Sequence, residues 1–245
     1  MDDGKRSVEL TDLLDLRVSD AINLLESIKD ESVDLIILDP YYNDWDKFIE
    51  RGLINESLRC LKESGNLICF TQQPFDFNIR QQCVENFRRE IIWNYSKRPK
   101  WVSKRLPLVY HQKILWFVKS KKKHFFNCRS GMEYSENTVF GNKGFMVFEG
   151  YKERLGHYEK HPNGVWLPDV LTFDKPFKTL HKGQKPIELI EVILRCFSPA
   201  DGVVLDPFIG FGTTVYASQG SERKIIGGDI DDIYFQDIIS TVMSK

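Results

Sequence analysis

The chain alternates between short apolar runs and longer segments whose apolar residues recur every three or four positions. A short apolar run bounded by turn signals is typical of a strand that is buried on both faces. Such runs predict strands at residues 33–38, 66–70, 90–93, 113–118, 203–205 and 224–227. Helical spacing predicts helices at 48–62, 75–86 and 186–197, and one after Gly212. The alternation of the two kinds of segment favours a parallel, doubly wound α/β sheet.

Residues 119–182 interrupt this alternation. The segment is rich in glycine, asparagine, lysine and aromatic residues and has no long period. So much irregular chain inside a compact domain is typical of a functional insertion. With 245 residues in all, the sequence predicts one α/β domain with one inserted lobe.

Composition narrows the class of protein. The chain is 42% hydrophobic and 28% charged, as globular proteins are. No apolar run approaches the length of a membrane span, and the N-terminus has no apolar signal core. The five scattered cysteines fit buried thiols in a reducing compartment. We therefore expect a cytoplasmic protein without a membrane partner.

Charge is segregated along the chain although the formal net charge is −1. Residues 96–129 hold eleven Lys or Arg and no Asp or Glu, with aromatic residues between them. Cations on a solvated face around a buried strand are one interpretation. Contact with phosphates explains their concentration better, and it favours a nucleic acid as partner. The candidate phosphate-binding residues are Lys97, Arg98, Lys100, Lys104 and Arg105.

The segment 203–214 carries the first candidate chemistry. An apolar strand ends at Asp206 and continues into a turn with Gly210 and Gly212, which leaves backbone N–H groups open to a ligand. Thr213 and Thr214 follow, so the dinucleotide fingerprint G-x-G-x-x-G is absent and a dehydrogenase is not favoured. The next strand leads to Asp229, about 20 residues further on, a position suited to hydrogen-bond ribose hydroxyls.

The strand 33–38 delivers the second candidate group. It runs into Asp39, Pro40, Tyr41, Tyr42 and Asn43. A carboxylate, a rigid backbone carbonyl and aromatic rings together suit a flat substrate that donates hydrogen bonds. The alternative is that Asp39 and Pro40 only end a strand and the two tyrosines only pack.

Together these segments resemble motifs I and IV of the β-class DNA amino-methyltransferases, which use S-adenosylmethionine. The segment from His181 to Pro186 matches the His-x-x-Gln-Lys-Pro segment that precedes motif I in that family, with Lys185 in register. Motif IV precedes motif I, which is the β-class order. The chain departs from the family pattern at Tyr41, where relatives have a second proline.

The resemblance implies a permuted seven-stranded Rossmann-like methyltransferase sheet with an inserted target-recognition region. Residues 1–118 would form the catalytic half, 119–182 the recognition region and 183–245 the cofactor half. Lys185 would pair with the carboxylate of S-adenosylmethionine and Asp20 with its adenine amino group, although Asp20 is equally suited to cap a helix. The residues implied to bind the cofactor are Asp20, Lys185, Asp206, Phe208, Gly210, Gly212, Thr213, Thr214 and Asp229.

The implied reaction is transfer of a methyl group to N6 of an adenine flipped out of double-stranded DNA. Asp39 and the Pro40 carbonyl would accept the two amino hydrogens, and Tyr42 would stack on the base, with Tyr41 beside it. Aspartate at position 39 favours adenine over N4 of cytosine in this family. N4-cytosine methylation, methylation of RNA or of a protein amide, and a nucleic-acid-binding protein disabled by Tyr41 stay open.

The same resemblance allows two further partners, a cognate restriction endonuclease and a second copy of the chain. The inserted region contains candidates for reading base edges, any of which could instead be structural: Arg154, His157, His161, Trp166 and Lys175. The spacing of His157 and His161, without a nearby cysteine, does not fit a zinc site. We expect no metal.

Overall fold

A single nine-stranded sheet with helices on both faces forms the fold in the computed structural model, which describes residues 7–41, 44–95, 104–132, 166–176 and 183–243. The strands are β1 Ser7–Thr11, β2 Leu14–Val18, β3 Val33–Leu38, β4 Leu61–Thr71, β5 Phe87–Asn94, β6 His111–Val118, β7 Val170–Thr172, β8 Val203–Asp206 and β9 Lys224–Asp229. The helices are α1 Ala21–Glu26, α2 Trp45–Glu50, α3 Leu53–Cys60, α4 Phe75–Gln82, α5 Ile187–Phe197, α6 Thr213–Ser218 and α7 Phe235–Met243.

The strands lie in the order β1-β2-β9-β8-β3-β4-β6-β5-β7. The pairs β2–β9, β9–β8, β8–β3, β3–β4 and β5–β7 are parallel. β6 runs antiparallel to both β4 and β5, and β1 runs antiparallel to β2. All strands except β1 and β6 therefore point the same way.

The α/β, Rossmann-like class predicted from sequence is confirmed, and each of the six predicted strands is present. The seven strands from β2 to β5 correspond to the expected seven-stranded sheet, and β1 and β7 extend it at its edges. The expectation of an all-parallel sheet is wrong for β6. Apolar runs mark buried strands without giving direction, and neighbouring antiparallel strands need no crossover helix.

The predicted helix at 48–62 is in fact two helices and the start of a strand. Gly52 adopts a left-handed conformation with φ of 84° between α2 and α3. Leu61 is already extended and pairs with Val33 of β3. The apolar spacing continues through both helices and into β4, so periodicity alone could not locate the break. Helices α1 and α7 and strands β1, β2 and β7 were not predicted.

The hydrophobic core has two layers, one on each face of the sheet. On β3, Leu35 and Ile37 face the layer that contains α5, α6 and α7, while Ile36 and Leu38 face the layer that contains α1, α3 and α4. Burial on both faces explains why β3 is apolar at nearly every position. None of the helices in the described part of the chain has the length and apolarity to cross a bilayer.

The parallel strands bring their carboxyl ends to one edge of the sheet, which we call the carboxyl edge. In open α/β sheets, ligands bind outside this edge where neighbouring strands connect in opposite directions. Here β3 lies between β8 and β4, so strands from the two distant halves of the chain meet at that point. The segments at the carboxyl edge follow Val18, Leu38, Thr71, Asn94, Asp206 and Asp229.

Candidate active site at the carboxyl edge

Four aspartates line the carboxyl edge on four consecutive strands. Asp20 follows β2, Asp229 ends β9, Asp206 ends β8 and Asp39 follows β3. Because neighbouring strands are about 4.8 Å apart, the strands that carry Asp20 and Asp39 are about 14 Å apart. The described residues contain no group of three or more His, Cys, Asp or Glu side chains arranged to hold a metal ion.

The two glycines of the turn after β8 have different neighbours. Both have positive φ, 49° at Gly210 and 82° at Gly212. A Cβ at Gly210 would meet only the Phe208 carbonyl, at 3.8 Å, among the described atoms. A Cβ at Gly212 would lie 2.6 Å from Cγ1 of Ile238 in α7. Gly210 therefore borders open space at the edge, whereas Gly212 allows the turn to pack against α7.

Asp206 braces the glycine turn from inside the protein. One carboxylate oxygen accepts the Thr214 hydroxyl at 2.6 Å, and the other accepts the Phe208 N–H at 3.1 Å. Burial raises the pKa of Asp206 to about 7. Thr214 is only 2% exposed, so its hydroxyl is committed to Asp206. The structure thus gives these two predicted cofactor-binding side chains partners inside the protein. Thr213, the first residue of α6, begins the helix beside them.

Asp229 lies beside the open turn. Its carboxylate accepts the Gly210 N–H at 3.0 Å, and burial raises its pKa. The next residue, Ile230, is 74% exposed at the mouth of the edge. Sequence reasoning identified Asp229 and missed Ile230. The available signal was an apolar residue directly after a strand-end acid in an otherwise polar segment.

Asp20 occupies the end of the row and caps α1. Its Oδ1 accepts the Ile22 N–H at 3.0 Å, and its two oxygens accept two N–H groups of Arg51 at 2.8 Å each. The Ser19 N–H donates to the Asp229 carbonyl at 2.8 Å, which ties the Asp20 segment to β9. The capping interpretation is confirmed, and contact with adenine stays a prediction. Nothing in the sequence pointed to Arg51.

Asp39 is paired with Lys185, from the other half of the chain. The Lys185 ammonium hydrogen-bonds an Asp39 carboxylate oxygen and the Gly183 carbonyl, the latter at 3.0 Å. It also lies 4.9 Å from the ring centroid of Phe70, and the lysine is only 7% exposed. The structure thus places Lys185 on the candidate catalytic acid, whereas the family resemblance implied a cofactor carboxylate.

The residues after Asp39 differ in exposure. Pro40 is buried, whereas Tyr41 is 65% exposed and its carbonyl accepts the Asp44 N–H at 2.9 Å. Partial desolvation, and then the charge of Asp229, raise the pKa of the Tyr41 phenol. Tyr42 lies outside the described residues. On the neighbouring side, the predicted cofactor residue Phe208 packs edge-on against Phe48 of α2, with centroids 5.1 Å apart.

Tyr95 and Lys175 stand close to the Asp39–Lys185 pair. The Lys175 ammonium lies 3.7 Å from the centroid of the Tyr95 ring. Burial, and then the charge of Asp39, raise the pKa of Tyr95 to about 12. Burial, and then the charge of Lys185, lower the pKa of Lys175. Sequence reasoning listed Lys175 and missed Tyr95. Trp166, another residue predicted to read base edges, instead has the Arg129 guanidinium over its ring, with the guanidinium carbon 4.3 Å from the ring centroid. Arg154, His157 and His161 lie outside the described ranges.

The basic stretch divides between the two edges of the sheet. Lys104 and Arg105 are exposed in the loop between β5 and β6, at the carboxyl edge. Beyond β6, at the opposite edge, the Lys119 ammonium donates to the Leu58 carbonyl at 2.5 Å and Lys123 pairs with Glu63 at 2.8 Å. Within β6, Lys113 pairs with Asp76 at 2.6 Å. Lys113, Lys119 and Lys123 therefore have partners within the protein, and phosphate contact by Lys104 and Arg105 stays a prediction. Lys97, Arg98 and Lys100 lie outside the described residues.

The turn that borders open space, Asp229 beside it and Asp39 on the neighbouring strand have the arrangement expected of a nucleoside-cofactor site that faces a substrate site. The family model described as DNA methylase, for N6 and N4 amino-methyltransferases, matches residues 33–240. This chain belongs to that DNA methylase family.

Individual relatives agree with the family. The chain is 30% identical over 237 residues to the DNA adenine methyltransferase YhdJ of Escherichia coli, covering 89% of this chain and 78% of that protein. It is 28% identical to the type II methyltransferase M.BglII of Bacillus subtilis, covering 92% and 67%. Its fold is similar to that of M1.HpyAVI in complex with SAM, with TM-score 0.65, 24% identity and coverage of 93% and 99%. The cytosine-N4-specific PvuII DNA methyltransferase has TM-score 0.68 at 16% identity, covering 98% and 96%.

Proposed function

We propose that this chain is a site-specific DNA methyltransferase that transfers a methyl group from S-adenosylmethionine to N6 of an adenine flipped out of the duplex. One observation carries the proposal. Asp39 follows β3, the neighbour of β8, whose glycine turn borders open space, and Asp229 ends the strand beyond. An acceptor for an exocyclic amine and a site for a nucleoside cofactor thus share one edge.

The residues at the edge fit that cofactor. The space beside Gly210 admits a ligand close to the backbone. Asp229 would accept ribose hydroxyls, and the exposed side chain of Ile230 would cover one face of the adenine. S-adenosylmethionine, when bound, supplies a methyl group on a positively charged sulfur. Asp206 and Thr214 would keep the turn in shape rather than touch the cofactor.

Asp39 would hold the target amine. Its carboxylate and the Pro40 carbonyl would each accept one amino hydrogen, which leaves the nitrogen lone pair directed at the methyl group. Such positioning, with preorganised acceptors, accounts for a direct displacement without a covalent enzyme intermediate. Lys185 would act as a positioning residue, because its bond fixes the carboxylate and its charge favours the ionised form.

A flipped base needs a pocket that replaces its stacking partners. Tyr95, with Lys175 against its ring, and the exposed Tyr41 would supply aromatic and cationic surface for it near Asp39. Lys104 and Arg105, in the loop at the same edge, would contact the phosphates of the duplex. The proposed work of the protein on chromosomal DNA fits a cytoplasmic location.

N4-cytosine methylation is the second candidate. The exocyclic amine of cytosine presents the same two hydrogens, so Asp39 and Pro40 suit it as well, and a cytosine-N4-specific enzyme shares the fold. A DNA-binding protein with a disabled site is the third, because Tyr41 replaces a proline of the family pattern. The type II relatives favour a restriction endonuclease as functional partner; a homodimer stays a prediction.

The test is nucleoside analysis of DNA from a host without its own methylases that expresses the protein. N6-methyladenine in wild-type DNA, and its absence with Asp39→Ala, is the expected result. N4-methylcytosine would establish the second candidate. Cofactor binding by calorimetry without any modified base would support the disabled site. Sequencing the modified positions then gives the recognition sequence.

A further inference from the structure

Arg51, at the end of α2, makes a bidentate hydrogen-bonded ion pair with Asp20, at the start of α1. It follows α2 directly, whereas Asp20 precedes α1, 31 residues earlier. Two of its N–H groups reach the two carboxylate oxygens at 2.8 Å each. A planar guanidinium facing both oxygens of a carboxylate fixes the plane and rotation of that group, which a single ammonium cannot do.

The row of strands indicates which part of a cofactor lies at Asp20. The methyl group must reach the amine held by Asp39, on β3, and the ribose suits Asp229, on β9. A molecule that extends along the edge in that direction next meets the segment after β2, where Asp20 stands. The Ser19 N–H bonded to the Asp229 carbonyl at 2.8 Å holds the two segments side by side. The base of the nucleoside therefore falls at Asp20.

We propose that Arg51 is a positioning residue that sets base specificity in the cofactor site, by holding Asp20 as an oriented, ionised acceptor for an exocyclic amino group. The proposal rests on the proposed function and extends it to a residue outside the carboxyl-edge acids. An ionised carboxylate accepts hydrogen bonds and donates none. It therefore favours a base that carries an amino group over one that carries an oxo group at the same position.

The bonding of Asp20 leaves capacity for such a contact. Oδ1 receives the Ile22 and Arg51 N–H groups and Oδ2 receives the second Arg51 N–H, with the Asn23 backbone N–H as a weaker contact of the carboxylate. A carboxylate oxygen offers two acceptor positions. The Arg51 hydrogen bond is also the largest cause of the lowered pKa of Asp20, so the carboxylate stays ionised. The competing explanation is that the pair only ties α1 to α2.

Two ligands distinguish these explanations. One is S-adenosylhomocysteine, the product that the cofactor leaves, and the other is its 6-oxo analogue S-inosylhomocysteine. We expect wild type to bind the amino form about 100-fold more tightly by calorimetry, the range of a hydrogen bond to a charged group. Arg51→Gln should bind the amino form about tenfold more weakly and the oxo form almost unchanged, so that the preference shrinks. Arg51→Lys, which keeps charge without the planar fork, should lie between the two.

Lys47→Gln is the matched control, because it removes one cation from α2 while Lys47 contacts the exposed Asp44 at 2.8 Å and not Asp20. It should keep the wild-type preference. An equal loss of affinity for both ligands in Arg51→Gln would show that the Arg51–Asp20 pair only connects α1 to α2, and it would overturn the proposal. Equal affinity of the wild type for the amino and oxo ligands would also overturn the proposal, because it would show that the base does not contact Asp20. Failure of the wild type to bind either ligand would instead refute the cofactor of the proposed function, and this inference with it.

Thermal melts and a second variant protect the test against a folding defect. Asp20→Asn keeps the side chain's shape and removes its charge. If Arg51 acts through Asp20, adding Arg51→Gln to Asp20→Asn should change the preference no further, since the two residues then act as a unit. Independent, additive losses in the double variant would count against the proposal.

Discussion

The end of the carboxyl edge proposed to bind the cofactor, formed by β2, β8 and β9, and the end proposed to bind the substrate, formed by β3 and the loops beside it, are held by different kinds of contact. We call them the cofactor end and the substrate end. At the cofactor end, Asp206 and Asp229 are at least partly buried and accept backbone N–H groups of the glycine turn. At the substrate end, Asp39 is held by a side chain from a distant segment, and Tyr41 is 65% exposed.

Because of this difference, we expect substitutions at the two ends to affect stability and reaction rate differently. Changes at the cofactor end disturb groups on which the fold depends, so they should alter stability and affinity together. Changes at the substrate end remove groups that the fold needs less, so they should alter rate first. Functional residues often contribute little to stability. By this argument, the residues at the substrate end contribute less to stability than those at the cofactor end.

The strongest test of the substrate end is Asp39→Ala, which removes both carboxylate oxygens. We expect methyl transfer to fall about 10³-fold, because a preorganised acceptor in the reacting geometry is lost. Affinity for S-adenosylmethionine, measured by calorimetry, should stay within about threefold. A loss of affinity as large as the loss of rate would place Asp39 in the cofactor site.

Lys185→Met tests whether the buried lysine acts through Asp39. The rate should fall about 100-fold, because the carboxylate loses the partner that orients it and favours its ionised form. Initial rates of the double variant with Asp39→Ala should match those of Asp39→Ala alone. If Lys185 instead binds the cofactor carboxylate, calorimetric affinity falls in the single variant and the double variant is slower still.

The two glycines of the turn test the cofactor end internally. Gly212→Ala should destabilise the fold by about 2–4 kcal/mol, from strain at positive φ and the clash with Ile238. Gly210→Ala has the strain without the clash, so it should cost about 1–2 kcal/mol and weaken cofactor binding through the side chain it adds to the open space. Denaturant unfolding and calorimetry on both variants check this. Equal stability losses would contradict the contrast between them.

The pKa of Asp206 predicts how stability depends on pH. Its folded pKa of about 7 lies above the ordinary value of 3.8. Because the folded state binds the proton more tightly, Asp206 contributes its full stabilisation of the folded state below about pH 3.8. This contribution is lost as the pH rises through the folded pKa of about 7. Asp206→Asn cannot titrate, so its Tm should change a few degrees less than that of wild type between about pH 5 and pH 8. An equal change in Tm for wild type and Asp206→Asn would contradict the raised pKa and show that Asp206 stays ionised over this pH range.

The smallest effect concerns the exposed cations. Replacing Lys104 and Arg105 with alanine should reduce the slope of log K against log salt by about 1.8, since each phosphate contact contributes about 0.9. The pair Lys121 and Lys122 is the matched control, being equally exposed but at the opposite edge of the sheet. Fluorescence anisotropy with duplex DNA over a salt series measures both. A reduced slope in the control pair would show that the opposite edge binds DNA.

Sequence patterns predicted those parts of the site that depend on local chemistry. The glycine turn, Asp229 and Asp39 were found because an apolar strand followed by an acid or a glycine is a short-range signal. Arg51 and Tyr95 were missed because their importance depends on contacts with segments far away in the chain, whereas Ile230 was missed although its position directly after Asp229 is a local signal. Lys185 was found by its motif and given another partner, since a motif does not indicate which of two nearby anions a lysine meets.

The sequence by itself determined the α/β class, the six predicted strands and the family, because apolar runs and turn chemistry are written in consecutive residues. Tertiary structure decided the direction of β6, the break at Gly52, the division of the basic stretch between two edges and the pairing of Asp39 with Lys185. Strand direction and long-range ion pairs depend on where distant segments meet. That meeting is set by the packing of the whole sheet and its two helix layers, which no local pattern contains.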